Sequence, residues 1–236
     1  MASIPDPMFR QTTRDFCVNQ QFRKDYWVKG CRTLTALEQA EALRGQRILL
    51  AQPRADVGLK VTGSLGEATL QEAVYGPILD QLADHKPKTL GQLEQALKAT
   101  PSTQSLSFAQ ILQAAMVLSA TGAVQAVQDD AVVQIAKKRT DRLNVYLMTK
   151  ARSSNELSYL ASPVTGGGVT VPRFQQLFLL AKQQGHKHPQ DWANFVWNIL
   201  ALQNQRLVKD GKTLETVEEN LAELTAQASE FAEKQL

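Results

Sequence analysis

Apolar positions recur three and four residues apart over most of the chain and alternate only in short stretches. Val74, Ile78, Leu79 and Leu82 predict a one-faced helix from Ala73 to Asp84, with Pro87 closing the connection. Thr89 caps a second helix, in which Leu90, Leu93 and Leu97 repeat the spacing. Ser107 opens a third, bearing Phe108, Ile111, Leu112, Ala115 and Leu118 and ending at Thr121-Gly122, and residues 123–127 read as a strand. Three helices followed by a strand, with a glycine at the corner, is the order of a winged helix, placed here at about 73–128.

Upstream, a helix is predicted from Arg14 to Val28, ending near Gly30. Its aromatic residues Phe16, Phe22, Tyr26 and Trp27 do not share one stripe, which makes them, with Arg23, candidates for meeting a partner. Thr35 and Glu38 form a capping box that starts a helix over 36–43, stopped by Gly45. Residues 47–52 then read as a buried strand, and 59–62 with 67–70 as a hairpin around Gly63-Ser-Leu-Gly66, the three making one small sheet.

Asp129-Asp130 marks the expected domain boundary. Beyond it a helix over 131–151 carries the basic cluster Lys137, Lys138, Arg139 and Arg142, which wraps around more than one face and is a second candidate interaction surface. Residues 159–172, with β-branched arms around Gly166-Gly-Gly168, predict a hairpin. Helices follow at 173–184, 189–209 and 217–234. The second of these buries Trp192, Phe195, Val196 and Ile199. The last has a capping box from Thr216 and Glu219 and a seam of Val217, Leu221, Leu224, Ala228 and Phe231. The fold class is therefore α+β, predominantly helical. Its parts are a disordered lead or cloning scar at 1–8, a domain at 9–128 and a mostly helical domain with a Gly-rich hairpin at 129–236.

Composition changes this picture little. At 236 residues and 43% apolar, the chain is long enough for two cores. A formal charge of +3, from 26 Lys and Arg against 23 Asp and Glu, is far from the balance of a chain organised around phosphate neutralisation. Residues 1–60 carry ten basic and six acidic side chains, and 210–236 carry two and seven, which reads as solvated faces of opposite bias. Cys17 and Cys31 make neither a disulfide framework nor a four-ligand zinc site, and they read as fillers of small apolar gaps in a reducing, cytoplasmic protein. No leader pattern and no run of about 18 apolar residues occurs.

Candidate chemistry is sparse. Ser107 to Ala120 has no charged residue, so a groove-reading third helix would lack the contacts that dominate DNA affinity. Thr165-Gly-Gly-Gly168 is not followed by Lys-Ser/Thr and reads as a hairpin tip rather than a phosphate cradle. No Gly-x-Gly-x-x-Gly follows a strand, and no Gly-x-Ser-x-Gly elbow occurs. His186 and His188 lack further metal-ligand neighbours, and His85 stands in a polar loop; all three read as solvated. No catalytic, cofactor-binding or metal-binding residue is assigned.

Longer stretches resemble a family. Arg14-Asp-Phe-Cys-Val-Asn-Gln-Gln-Phe-Arg-Lys24, the segment through Leu59-Lys-Val-Thr62 and the helix pair from Val74 to Leu97 are similar to the predicted methyltransferase regulatory domain. Tyr159-Leu-Ala-Ser-Pro-Val-Thr-Gly-Gly-Gly-Val169, Pro172-Arg-Phe-Gln-Gln-Leu-Phe-Leu-Leu180 and residues 205–216 resemble the C-terminal part of the same proteins, so the resemblance runs from about Phe9 to Leu236. It implies a region that follows a class I S-adenosylmethionine-dependent methyltransferase domain in bacterial proteins. Remoter relatives are protein-lysine methyltransferases, whose later domains help to hold the substrate. The implied role is non-catalytic, regulatory or substrate-presenting, with a methyltransferase domain in cis or in trans and a protein substrate as partners. S-adenosylmethionine would be bound outside this chain. Two alternatives remain open: a nucleic-acid-binding winged helix using Lys137 to Arg142, and a sensor with a small molecule between its two domains.

Overall fold

The computed structural model describes residues 3–25, 28–30, 32–63 and 66–234. The chain separates into two compact units, Met1–Ala126 and Val127–Leu236. Among the described residues there are nine α-helices, and every paired strand is antiparallel and two to four residues long.

In the first unit α1 spans Pro7–Cys17 and α2 Ala36–Arg44; β1 is Arg47–Leu50 and a hairpin follows from β2 (Lys60–Gly63) and β3 (Gly66–Thr69). Then come α3 (Glu72–Leu82), β4 (Lys88–Thr89), α4 (Leu90–Lys98), α5 (Phe108–Ala120) and β5 (Val124–Ala126). The sheet order is β4-β1-β5, with Ile48 opposite both Lys88 and Ala126. Ile48 and Leu50 alternate onto the core face, where they meet Ile78, Leu79 and Leu82 of α3, Leu93 and Leu97 of α4, and Ile111 and Leu118 of α5. The capping boxes at Thr35, Thr89 and Ser107 all form, the last two with Gln92 and Gln110 as partners.

The structure corrects five expectations in this unit. The first helix starts at Pro7 instead of Arg14 and ends at Cys17, eleven residues short of Val28. Asp6 accepts from the Phe9 amide at 2.7 Å and Pro7 supplies a preset first turn, so residues 6–8 begin the helix rather than a disordered lead; Asn19, at φ 51°, ends it. The hairpin β2–β3 does not join the sheet of β1: its two strands pair with each other, Val61 opposite Ala68, and form a separate two-stranded sheet. Cys17 is exposed rather than filling a gap, and Cys31 lies outside the described residues. His85 is partly covered, with Nδ1 3.0 Å from the Leu50 carbonyl oxygen, instead of solvated.

No residue of α2 is fully buried, and Arg44 near its end links it to α4 and α5. The Arg44 guanidinium donates to Glu94 of α4 at 2.7 Å and lies 4.4 Å from the ring centroid of Phe108, the first residue of α5. Glu94 also takes an ion pair from Lys98 at 2.6 Å. Arg44 and then Lys98 hold the buried Glu94 carboxylate at a pKa of about 2, against desolvation, which raises it.

In the second unit α6 (Asp130–Lys150) leads to the hairpin β6 (Tyr159–Ser162) and β7 (Gly167–Thr170). After it come α7 (Arg173–Gln183), α8 (Pro189–Leu202), the hairpin β8 (Val208–Lys209) and β9 (Lys212–Thr213), and α9 (Val217–Lys234). The core is Leu177, Phe178 and Ala181 of α7, Trp192, Val196 and Ile199 of α8, and Leu224 and Ala228 of α9. Phe195 packs at its margin, where its ring is 5.7 Å from that of His186, and the His188 amide donates to Asp191 at the start of α8. The helix expected to reach Lys209 stops at Leu202, with Asn204 at φ 54°. Asp210 and Gly211, at φ 49° and 77°, turn a β-hairpin there, in the stretch expected to be helical up to Lys209. Asn220 of α9, fully buried, holds that hairpin: Nδ2 donates to the Leu214 and Thr216 carbonyls and Oδ1 accepts from the Leu207 amide at 2.9 Å.

Two outcomes follow. The folded-state pKa of Glu94 lies below its unfolded value, so its contribution is present above about pH 4.5 and lost as pH falls towards 2. Glu94→Gln is expected to lower stability at pH 7 by about 2 kcal/mol, between an exposed and a fully buried ion pair, and to flatten the acid limb below pH 4.5. Denaturant titrations at pH 7 and pH 3 check both. Asn220→Ala strands the Leu207 amide and is expected to cost about 2 kcal/mol, with hydrogen exchange accelerating first over 207–214.

Candidate functional site

Two surfaces of the described structure are unusual, one on each unit. On α1, residues four apart place Met8, Thr12 and Phe16 on one face, with Phe9 and Thr13 on one side of them, Gln11 and Asp15 on the other, and Arg10 and Arg14 opposite. No α1 residue is buried, and Phe16 is 84% exposed. Arg23 bridges Asp15 and Asp25 at 2.9 Å each, which folds the following segment back beside the helix and leaves Phe22 as exposed as Phe16. Tyr26 and Trp27 lie outside the described residues.

The second surface surrounds α6. Arg173 of α7 donates to the Ala151 and Arg152 carbonyls, satisfying groups that the end of α6 leaves open, and Met148 is the one buried residue of the helix. Burial lowers the pKa of the Arg173 guanidinium. The hairpin β6–β7 is fixed at its base by fully buried Gln176, whose Nε2 donates to Leu157 at 2.6 Å and Val171 at 2.8 Å, one carbonyl on each side. Asn144 joins helix to hairpin: Nδ2 donates to the Ala161 carbonyl at 2.8 Å, and Oδ1 accepts the Ala161 amide at 2.7 Å. At the other end the Gln128 amide donates to Val164 O at 2.8 Å.

Between these two attachments the facing residues are too small to fill the space. Val132, Ala136 and Thr140 of α6, four apart, look onto Ala161, Pro163 and Gly166–168, and a cleft of about 590 Å³ remains. Leu147 and Leu160 line it further down, with Gln128, Tyr159 and Ser162 as its other polar contributors. Beside the turn, Thr165 Oγ1 is buried without a hydrogen-bond partner.

The basic cluster does not line this cleft. Lys137 pairs with Asp141 at 3.0 Å, four residues on. Lys138, Arg139 and Arg142 share the exposed side of α6 with Ile135, 78% exposed, and Tyr146, whose ring lies 5.6 Å from the Lys150 ammonium. The aromatic and basic candidates from the sequence therefore belong to separate surfaces, on different units. Sequence reasoning missed the cleft. Its signals were the small residues Ala136 and Ala161 opposite the glycine run, and Asn144 in mid-helix, where a carboxamide competes with the backbone unless it has another use.

Among the described residues no group of three or more His, Cys, Asp and Glu is placed to hold a metal ion, and no helix is long and apolar enough to cross a membrane. The strand pairs among the described residues are all antiparallel, without the parallel βαβ crossover of a class I methyl-donor fold.

Comparison with known proteins places the chain. It is 38% identical over 231 residues to an uncharacterized protein of Synechocystis sp. (strain ATCC 27184 / PCC 6803 / Kazusa), a match covering 98% of this chain and 44% of that protein. The chain thus spans less than half the length of this relative. No solved structure matches. The family match covers residues 1–29, a shorter stretch than the resemblance read from about Phe9 to Leu236, and it contains the whole of α1. Those residues match the family described as the predicted methyltransferase regulatory domain.

Proposed function

We propose that this chain is a non-catalytic, regulatory or substrate-presenting region of an S-adenosylmethionine-dependent methyltransferase, acting by protein docking. The observation that carries the reading is the position of α1: the segment matched by the regulatory family presents Met8, Phe9 and Phe16 on a face that nothing among the described residues buries. The methyltransferase region that would cover that face lies outside this chain, in cis or in trans, and it holds the methyl donor. The relative's greater length leaves room for such a region. Docking contributes position rather than chemistry: it raises the local concentration of an acceptor, here a protein, and fixes its orientation.

The winged-helix reading of the first unit is supported by its order α3, β4, α4, α5, β5, with β1 as the upstream third strand between β4 and β5. In this reading the module contacts protein, since α5 carries no charged residue. The cation-bordered apolar side of α6 suits an acidic protein surface, with nucleic acid as the alternative occupant. A bacterial, cytoplasmic setting agrees with the two-cysteine composition.

Isothermal titration of the chain with S-adenosylmethionine is expected to give no binding, and the chain alone no methyl transfer; either activity rejects the reading. Mixed with the portion of the Synechocystis relative outside the matched segment, the chain is expected to form a complex in sedimentation velocity. Phe9→Ser with Phe16→Ser is expected to weaken it by about tenfold or more. A duplex gel shift that disappears at higher salt would instead favour nucleic acid on α6.

A further inference from the structure

We infer that the cleft between α6 and the β6–β7 hairpin is a binding site for an uncharged, flat, ring-containing small molecule, a site distinct from the docking face on α1. The argument begins with the three glycines of its wall. Gly166 is required by the fold: its φ is 72°, and a Cβ there would stand 2.7 Å from Gln128 Nε2. Gly167 and Gly168 are not. Neither has a positive φ; a Cβ on Gly167 would meet nothing within 4 Å, and one on Gly168 would make an ordinary 3.7 Å contact with Tyr159 Cβ. Both stand within β7, where glycine weakens a strand and forgoes a packed side chain. A strand glycine that neither backbone nor packing demands marks a surface that something else approaches closely.

The cleft sets the size and character of that occupant. About 590 Å³ lies within the roughly 300–1,000 Å³ of small-molecule sites and exceeds what one inserted aromatic side chain fills. Ala161 and Gly168 are paired across the hairpin and offer a nearly side-chain-free floor, against which a planar ring lies flush. Val132 and Ala136 face it from the helix. None of the lining residues is Asp, Glu, His, Lys or Arg, so an ionised ligand would be desolvated without a partner, whereas the hydroxyls of Ser162 and Thr140 and the Gln128 carboxamide are of the kind that orients a neutral one. Charge complementarity thus selects a neutral molecule even though cations stand on the other side of α6.

The test uses indole, coumarin and adenosine as neutral probes, benzoate and indole-3-acetate as anionic controls, and a tryptophan-containing peptide as the side-chain alternative. Each is titrated into the ¹⁵N-labelled chain. At least one neutral probe is expected to shift the Gly166, Gly167, Gly168 and Ala136 amides, equally at pH 6 and pH 8, with the anions at least about tenfold weaker. Gly168→Val, whose side chain rises from the floor beside Tyr159, is expected to abolish the shifts while leaving Tm within about 2 °C or raising it. Ala136→Leu, which fills the cleft from the helix side, is expected to do the same. Absence of a shift with all three neutral probes, equal or tighter binding of the anions, binding of the peptide alone, or retained binding in both variants overturns the inference. A loss of Tm in Gly168→Val also overturns it, by showing that the fold itself requires that glycine. Failure of this test leaves the docking role of α1 standing, because the two readouts lie on different units.

Discussion

The geometry of the second unit's cleft depends on one carboxamide. Asn144 presents a donor and an acceptor to the backbone of Ala161 as a neighbouring strand would, and so satisfies an edge of a two-stranded hairpin that has no third strand. That pair of bonds sets the distance between α6 and β6. With the separation fixed, the small side chains on both sides determine that space remains. A leucine in place of Asn144 would leave two backbone groups unmet near the core, at a cost of about 1–3 kcal/mol each, and would release the helix from the hairpin. The cleft is therefore a consequence of a polar constraint, whereas the core of α7, α8 and α9 next to it is held by apolar packing.

The two units divide their labour along similar lines. Each closes its own core from a continuous stretch of chain, and each leaves helical surface largely outside that core, α1 and α2 in the first and the N-terminal part of α6 in the second. These helices carry the exposed apolar residues that the cores do not need. α2 likewise has no fully buried residue, and the Arg44 guanidinium at its end sits between a carboxylate and a ring. A surface built this way is well suited to exchanging partners, because few contacts within the fold compete for it.

Much of this was legible in the sequence. The helices over Val74–Leu82, Leu90–Leu97 and Phe108–Leu118 are encoded by spacing and caps that lie within each segment, and they form where that spacing puts them. The glycine-rich hairpin was legible for the same reason. What was hidden is whatever depends on distant residues. Pairing of β4 with β1 could not be read from Lys88-Thr89, two residues with no alternation of their own. The early end of α8 depends on Asn220, eighteen residues beyond Leu202, which holds the following turn. Asp6 is a local signal of the kind found elsewhere, obscured by two flanking prolines. The cleft was least visible, since it is made of residues notable for lacking side chains and is seen only when two separated segments are brought face to face.

The strand order of the first unit bears on how the protein is made. β1, the middle strand, is synthesised first of the three, and Val124, which pairs with Leu50, leaves the ribosome 74 residues later. At about 5–20 residues per second, the apolar edge of β1 waits several seconds for its second neighbour during translation, and α3 and α4, made within that interval, are the core elements available to cover it for the remainder. The early helices thus act as a shield for the nascent chain before they serve as half of a core.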